Sequence, residues 1–122
     1  MSERSKRRSV FVIPVAAQAL GATWQPAADI YRTPSGWLLK FELAGVTRDD
    51  VAIEIRGSRI TVAGIRRDWV MEECCAHYSM EIAYNRFERA VELPCDLSHA
   101  RLDLEFRDGI LMVRVTTPGG RP

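Results

Sequence analysis

A chain of 122 residues has room for one core and not two, and 47% hydrophobic with 27% charged residues is ordinary globular chemistry rather than a disordered or fibrous composition. With 17 basic against 16 acidic side chains the net charge is +1, so no large field draws the chain toward nucleic acid or anionic lipid. Three irregularly spaced cysteines (Cys74, Cys75 and Cys95) argue against a secreted disulfide framework and for a reducing compartment.

The first element is a basic leader (Arg4, Lys6, Arg7, Arg8) followed by the apolar run V-F-V-I-P-V-A-A from Val10 to Ala17. Basic-then-apolar is the grammar of an export signal, but Pro14 and Gln18 interrupt the run at the lower end of signal-core length. It also falls far short of the ~20 apolar residues that span a bilayer. The expectation is a cytoplasmic protein, with no membrane partner, whose residues 1–23 form an extended arm.

From Trp24 onward a period of two dominates. Asp29-Ile30-Tyr31-Arg32, the turn Thr33-Pro34-Ser35-Gly36, and a strand with Trp37, Leu39, Phe41 and Leu43 on one face read as a hairpin. Ala44-Gly45-Val46 breaks the strand, and Thr47 is placed to N-cap a single turn through Arg48-Asp49-Asp50. Val51, Ile53 and Ile55 then alternate inward, Arg56-Gly57-Ser58-Arg59 turns the chain, and Ile60-Thr61-Val62-Ala63-Gly64 returns. Helical periodicity is suggested in residues 69–77 alone. Phe87 to Leu93 makes another strand, stopped by Pro94, which has no N–H to give a ladder. The last hairpin pairs Leu102, Leu104 and Phe106 with Leu111, Val113 and Val115 across Asp108-Gly109. Residues 116–122 (T-T-P-G-G-R-P) carry no apolar side chain to bury and are expected to be a disordered tail. Six or seven short strands with turns between them predict an all-β, immunoglobulin-like antiparallel β-sandwich.

The same residues argue against catalysis. The histidines are His77 and His99, and Glu42, Glu54, Glu92, Asp103 and Glu105 fall at outward strand positions, as on a solvated sheet face. Neither G-x-G-x-x-G nor a Walker sequence occurs, and no basic–aromatic interleave suggests a nucleic-acid platform. Cys74-Cys75-x-His77 collects soft ligands, but adjacent cysteines point apart and only Cys95 and His99 remain to complete a set. The reading is a non-enzyme without metal or cofactor, with oxidation of a loop thiol as the competing use of these cysteines. What remains is binding through apolar surface. If the strands holding Val51, Ile53, Ile55 and Leu102, Leu104, Phe106 share a rim, they could border a groove for an extended segment of another chain; the plain alternative is that all six are core.

Several stretches, in order, match a known pattern. Pro26-Ala27-Ala28-Asp29-Ile30-Tyr31, Phe41-Glu42-Leu43-Ala44-Gly45-Val46, Ile60-Thr61-Val62-Ala63-Gly64, Glu81 with Tyr84-Asn85-Arg86-Phe87-Glu88-Arg89 and Leu93-Pro94, and Asp108-Gly109-Ile110-Leu111 follow one another. On these motifs residues 24–115 resemble the small heat-shock protein (α-crystallin domain) family in its bacterial and plant branch. Ala44 stands at the family's proline, Asn85 at a glycine and Leu104 at an alanine, and residues 116–122 hold no Ile-x-Ile/Val motif.

The resemblance implies an ATP-independent holdase that captures partly unfolded proteins. Its implied partners are such clients and a second copy, with higher oligomers possible; the alternative is an adaptor that modulates a relative's assembly. It implies a swapped dimerisation loop at residues 66–84, with Arg89, Glu81, Tyr84, Phe87 and Tyr78 at the dimer interface. It also gives the opening run a meaning. Ile13-Pro14-Val15 has the Ile-x-Val shape the family carries near its C-terminus, with Pro14 holding the backbone extended and both neighbours on one side. The expectation is that Ile13, Pro14 and Val15 plug the groove of the same or a neighbouring dimer, the alternatives being a generic apolar client-binding arm or a simple extra strand.

Overall fold

The computed structural model describes residues 24–68, 76 and 78–118. The predicted plug, the suggested helical stretch apart from Ala76, the Cys74, Cys75 and His77 cluster and residues 119–122 lie outside these. Among the described residues are seven strands: β1 (Ala28–Thr33), β2 (Gly36–Glu42), β3 (Val51–Arg56), β4 (Arg59–Arg66), β5 (Asn85–Glu92), β6 (Arg101–Arg107) and β7 (Ile110–Thr116), with one 3-10 turn at Arg48–Asp50. No helix among them is long and apolar enough to cross a membrane.

The strands form two antiparallel sheets, one ordered β1-β2-β7-β6 and the other β3-β4-β5. The chain changes sheet between β2 and β3 and returns between β5 and β6, so β7 pairs with β2 although four strands separate them in sequence. This is sandwich topology, and the alternation explains it. Leu39 and Phe41 of β2 and Leu111, Val113 and Val115 of β7 project from one sheet onto Ile53, Ile60, Val62, Phe87 and Val91 of the other. Burial of each such side chain contributes about 1.5–3 kcal/mol. Leu43, Val46, Leu93 and Leu97 from the connections close the ends of this core.

The turns obey their residues. Asp108 and Gly109 both have positive φ (52° and 81°), the requirement of a two-residue turn whose twist matches that of its strands, and Arg107 pairs directly with Ile110. Gly64 has a different role. It faces Phe87 in the β4–β5 ladder, and a methyl group there would fall onto the Asp50 carbonyl oxygen and 2.8 Å from the Phe87 ring.

Three local expectations change. Thr47 has the extended backbone of an N-cap, yet its hydroxyl donates to the Asp50 carboxylate (3.1 Å) rather than accepting from the turn's backbone. Ala52 is buried beside inward-facing Ile53, because on the outer face it pairs with another alanine, Ala63, amid larger neighbours. The ordered chain also continues past Val115. Thr116 belongs to β7, and Thr117 donates its backbone N–H to the Ser35 carbonyl (3.0 Å). Ladder bonds need no apolar side chain, so the polar composition of the tail did not predict its start.

Candidate functional site

Each sheet has two edges, and the sandwich treats its two rims differently. On one rim Trp24 pairs with β5, donating its N–H to the Arg86 carbonyl (3.2 Å) and accepting from Glu88 N–H (3.1 Å). The chain then passes buried Pro26, whose carbonyl accepts from the Arg89 guanidinium (3.0 Å), and enters β1. That segment stitches the β5 edge to the β1 edge. The remaining edges, β3 and β6, face each other across the other rim with no such strap among the described residues.

Five of the six predicted groove residues sit on that open rim. Val51 and Ile55 of β3 and Leu102 and Phe106 of β6 are half-buried and packed against the core. Leu104 lies between the last two on the same core-facing side, opposite core residue Val113, yet is 43% exposed. An inward-facing leucine this exposed is left uncovered by the opposite sheet among the described residues. Ile53 is a correction: at 3% exposure it fills the core and offers a groove almost nothing. Alternation tells which face a side chain is on, whereas depth along that face depends on what the opposite sheet places over it.

The residues expected at a dimer interface divide. Tyr78 is fully exposed, Glu81 is exposed and Tyr84 half-buried, all in the connection between β4 and β5. Met80 (51%) and Ile82 (62%) are exposed as well, so Tyr78, Met80 and Ile82 recur every second residue without a core to cover them. Phe87 is a correction, being a core residue 1% exposed, with its ring 5.3 Å from that of Trp24. Arg89 faces inward on β5 beside Val62, and its described partner is the Pro26 carbonyl of its own chain.

Sequence reasoning missed the residues that fix the base of this connection. Arg66, at the end of β4, donates Nε to the Ala44 carbonyl and a terminal N–H to the Ala83 carbonyl, each 2.9 Å away. Its guanidinium also lies 4.2 Å from the Trp24 ring centroid, a cation–π contact. Arg67 forms a two-pronged bond to Asp50, with both N···O distances 2.9 Å. That guanidinium, more than the Thr47 hydroxyl, holds the Asp50 carboxyl below the usual carboxylate range, against a smaller opposing effect of burial. Ala44, Gly45, Arg66, Arg67, Ile82 and Tyr84 line a depression of about 270 Å³ beside these bonds. The only sequence signal was the arginine pair Arg66-Arg67, one intervening residue beyond the motif glycine Gly64, and exposed strand ends commonly carry such pairs.

Of the thiols, Cys95 is among the described residues, half-buried against the core. Among the described residues this rim offers apolar surface and a sheet edge without a partner strand, the elements that β-augmentation uses.

Comparison with known proteins covers the same region. A model of the Hsp20/alpha crystallin family matches residues 29–121. Small heat shock protein C2 of Rickettsia felis is 29% identical over 90 residues, 74% of this chain and 58% of that protein. Spore protein SP21 of Stigmatella aurantiaca is 28% identical over 86 residues. The chain spans about half the length of the curated relatives it matches (51–58%). Among solved structures, HSP18.5 from E. histolytica superposes with a TM-score of 0.68 at 26% identity, covering 78% of this chain and 89% of that one. The hspA from Xanthomonas axonopodis gives 0.67 at 22% identity, covering 81% and 99%, a likeness of fold.

Proposed function

Since the chain belongs to the Hsp20/alpha crystallin family, whose members are chaperones and not enzymes, we propose that it is an ATP-independent holdase of the cytoplasm. It shields partly unfolded proteins from aggregation by lending them apolar surface. The observation that carries this reading is Leu104, 43% exposed on the core-facing side of an unpaired edge strand. An extended apolar segment laid between β3 and β6 would gain main-chain bonds from the edges and burial from Val51, Ile55, Leu102, Leu104 and Phe106. No chemical turnover is needed, because the exposed core of a client supplies the driving force.

The assembly unit in this reading is a dimer formed by exchange of the β4–β5 connection. Tyr78, Met80 and Ile82 alternate as a strand does, and β1 of a second copy offers a free edge where Ile30 is 43% exposed. Ile13-Pro14-Val15 is the resident occupant of the β3–β6 groove, yielding to clients. Light scattering tests the whole. At an equimolar subunit ratio in reducing buffer without ATP, the chain suppresses aggregation of a heated client. Undiminished aggregation would overturn the autonomous holdase in favour of an adaptor acting through a relative's assembly.

A further inference from the structure

Trp24, where the N-terminal arm enters the sandwich, and Ala83, near the end of the β4–β5 connection, lie 59 residues apart in sequence, yet one guanidinium binds both. The Trp24 indole packs on Phe87 and its Nε1–H donates to the Asn85 carbonyl (3.3 Å), so its face is held against Arg66. Arg66 then reaches Ala83 on one side and Ala44 on the other. Asn85 begins β5 with φ of 75°, a sharp change of direction right after the residues that Arg66 grips. Backbone pairing ends at Arg66 with Asn85, so beyond that pair the ladder no longer sets the path of the connection. The neighbouring depression of about 270 Å³ leaves Ile82 and Tyr84 without close packing on that side.

We propose that Arg66 is a positioning residue that couples the root of the N-terminal arm to the root of the β4–β5 connection, so that displacing Trp24 releases the connection. A tug on the arm, by a client or by plugging a groove, loosens the Arg66 grip on Ala83 along with the Trp24 bond to Asn85 next to it. The consequence for dimerisation rests on the exchange reading above; the coupling itself does not.

Limited chymotrypsin cleavage after Tyr84 reads the coupling in dilute protein, where no dimer is required. Arg66→Met and Trp24→Leu each raise the cleavage rate about tenfold, the size of a local opening that loses charge-assisted hydrogen bonds. Because both act through one contact, the double variant cleaves no more than about twice as fast as the faster single. Arg66→Lys, which keeps the charge over the indole but loses the fork, falls between wild type and Arg66→Met. Single variants that cleave at the wild-type rate, or a double variant near the product of the singles (about a hundredfold), overturn the proposal. If Arg66→Met does not fold, Arg66→Gln with Trp24→Leu completes the same cycle, since glutamine also removes the charge over the indole. Failure of the exchange reading looks different: a dimer that survives serine at Tyr78, Met80 and Ile82 removes the loop from the interface and leaves the cleavage cycle intact.

Discussion

At Gly64 the inner face of β4 passes between the Asp50 carbonyl and the Phe87 ring, and no space remains for a methyl group. The requirement is steric, not conformational, so alanine forces the β3 end or the Phe87 ring to move. Gly64→Ala is expected to cost about 1–3 kcal/mol in urea denaturation, the range for overpacking a filled site. A loss well under that would mean the Asp50 turn yields freely. Asp50 makes a prediction about pH. The Arg67 guanidinium holds its carboxyl below the usual range in the folded chain, so the stabilisation is complete above the unfolded value, near 3.9, and is lost as pH falls through the folded one. Asp50→Asn should therefore be less stable than wild type at neutral pH, and that deficit should shrink below about pH 4 as wild type loses the ion pair that the variant never had. Arg67 is largely exposed, so 1 M salt should reduce the neutral-pH deficit as well. Urea midpoints across the range decide it, and a deficit unaltered by acid would place the effect in the turn's shape.

At the scale of elements the alternation of apolar residues located β2, β3, β4, β6 and β7, and Pro94 with the glycine turns marked their ends. What alternation left undetermined was depth. Ile53 and Leu104 have the same pattern around them and both stand on edge strands, yet one is 3% and the other 43% exposed, because depth depends on what the opposite sheet places over each. The predicted plug addresses that rim. Replacing Ile13 and Val15 by glycine should lower the mass of the assembly or raise binding of an apolar dye to the freed groove. Unchanged values for both would remove the arm from the groove. The arm's identity was legible only as a shape, Ile-x-Val held extended by proline, and a shape alone does not name its seat.

For the whole molecule the central question is what a single sandwich, whose β1, β3 and β6 edges pair with nothing among the described residues, can do with those edges. Tyr78, Met80 and Ile82 are presented outward although a folded chain usually buries such residues. If the exchange dimer forms as proposed, serine at all three positions should leave the far-UV spectrum of the sandwich in place and give a monomer in sedimentation velocity. A persistent dimer would move the interface elsewhere. The sequence by itself determined the fold class, the order of strands and turns and the family, because each rests on local periodicity or on motifs a few residues long. Only the tertiary structure decided that Phe87 belongs to the core, that Arg89 binds Pro26 within the chain, and that Arg66 joins Trp24 to Ala83. These are meetings between residues distant in sequence, and pairing across two sheets, which no local pattern encodes, brings them together.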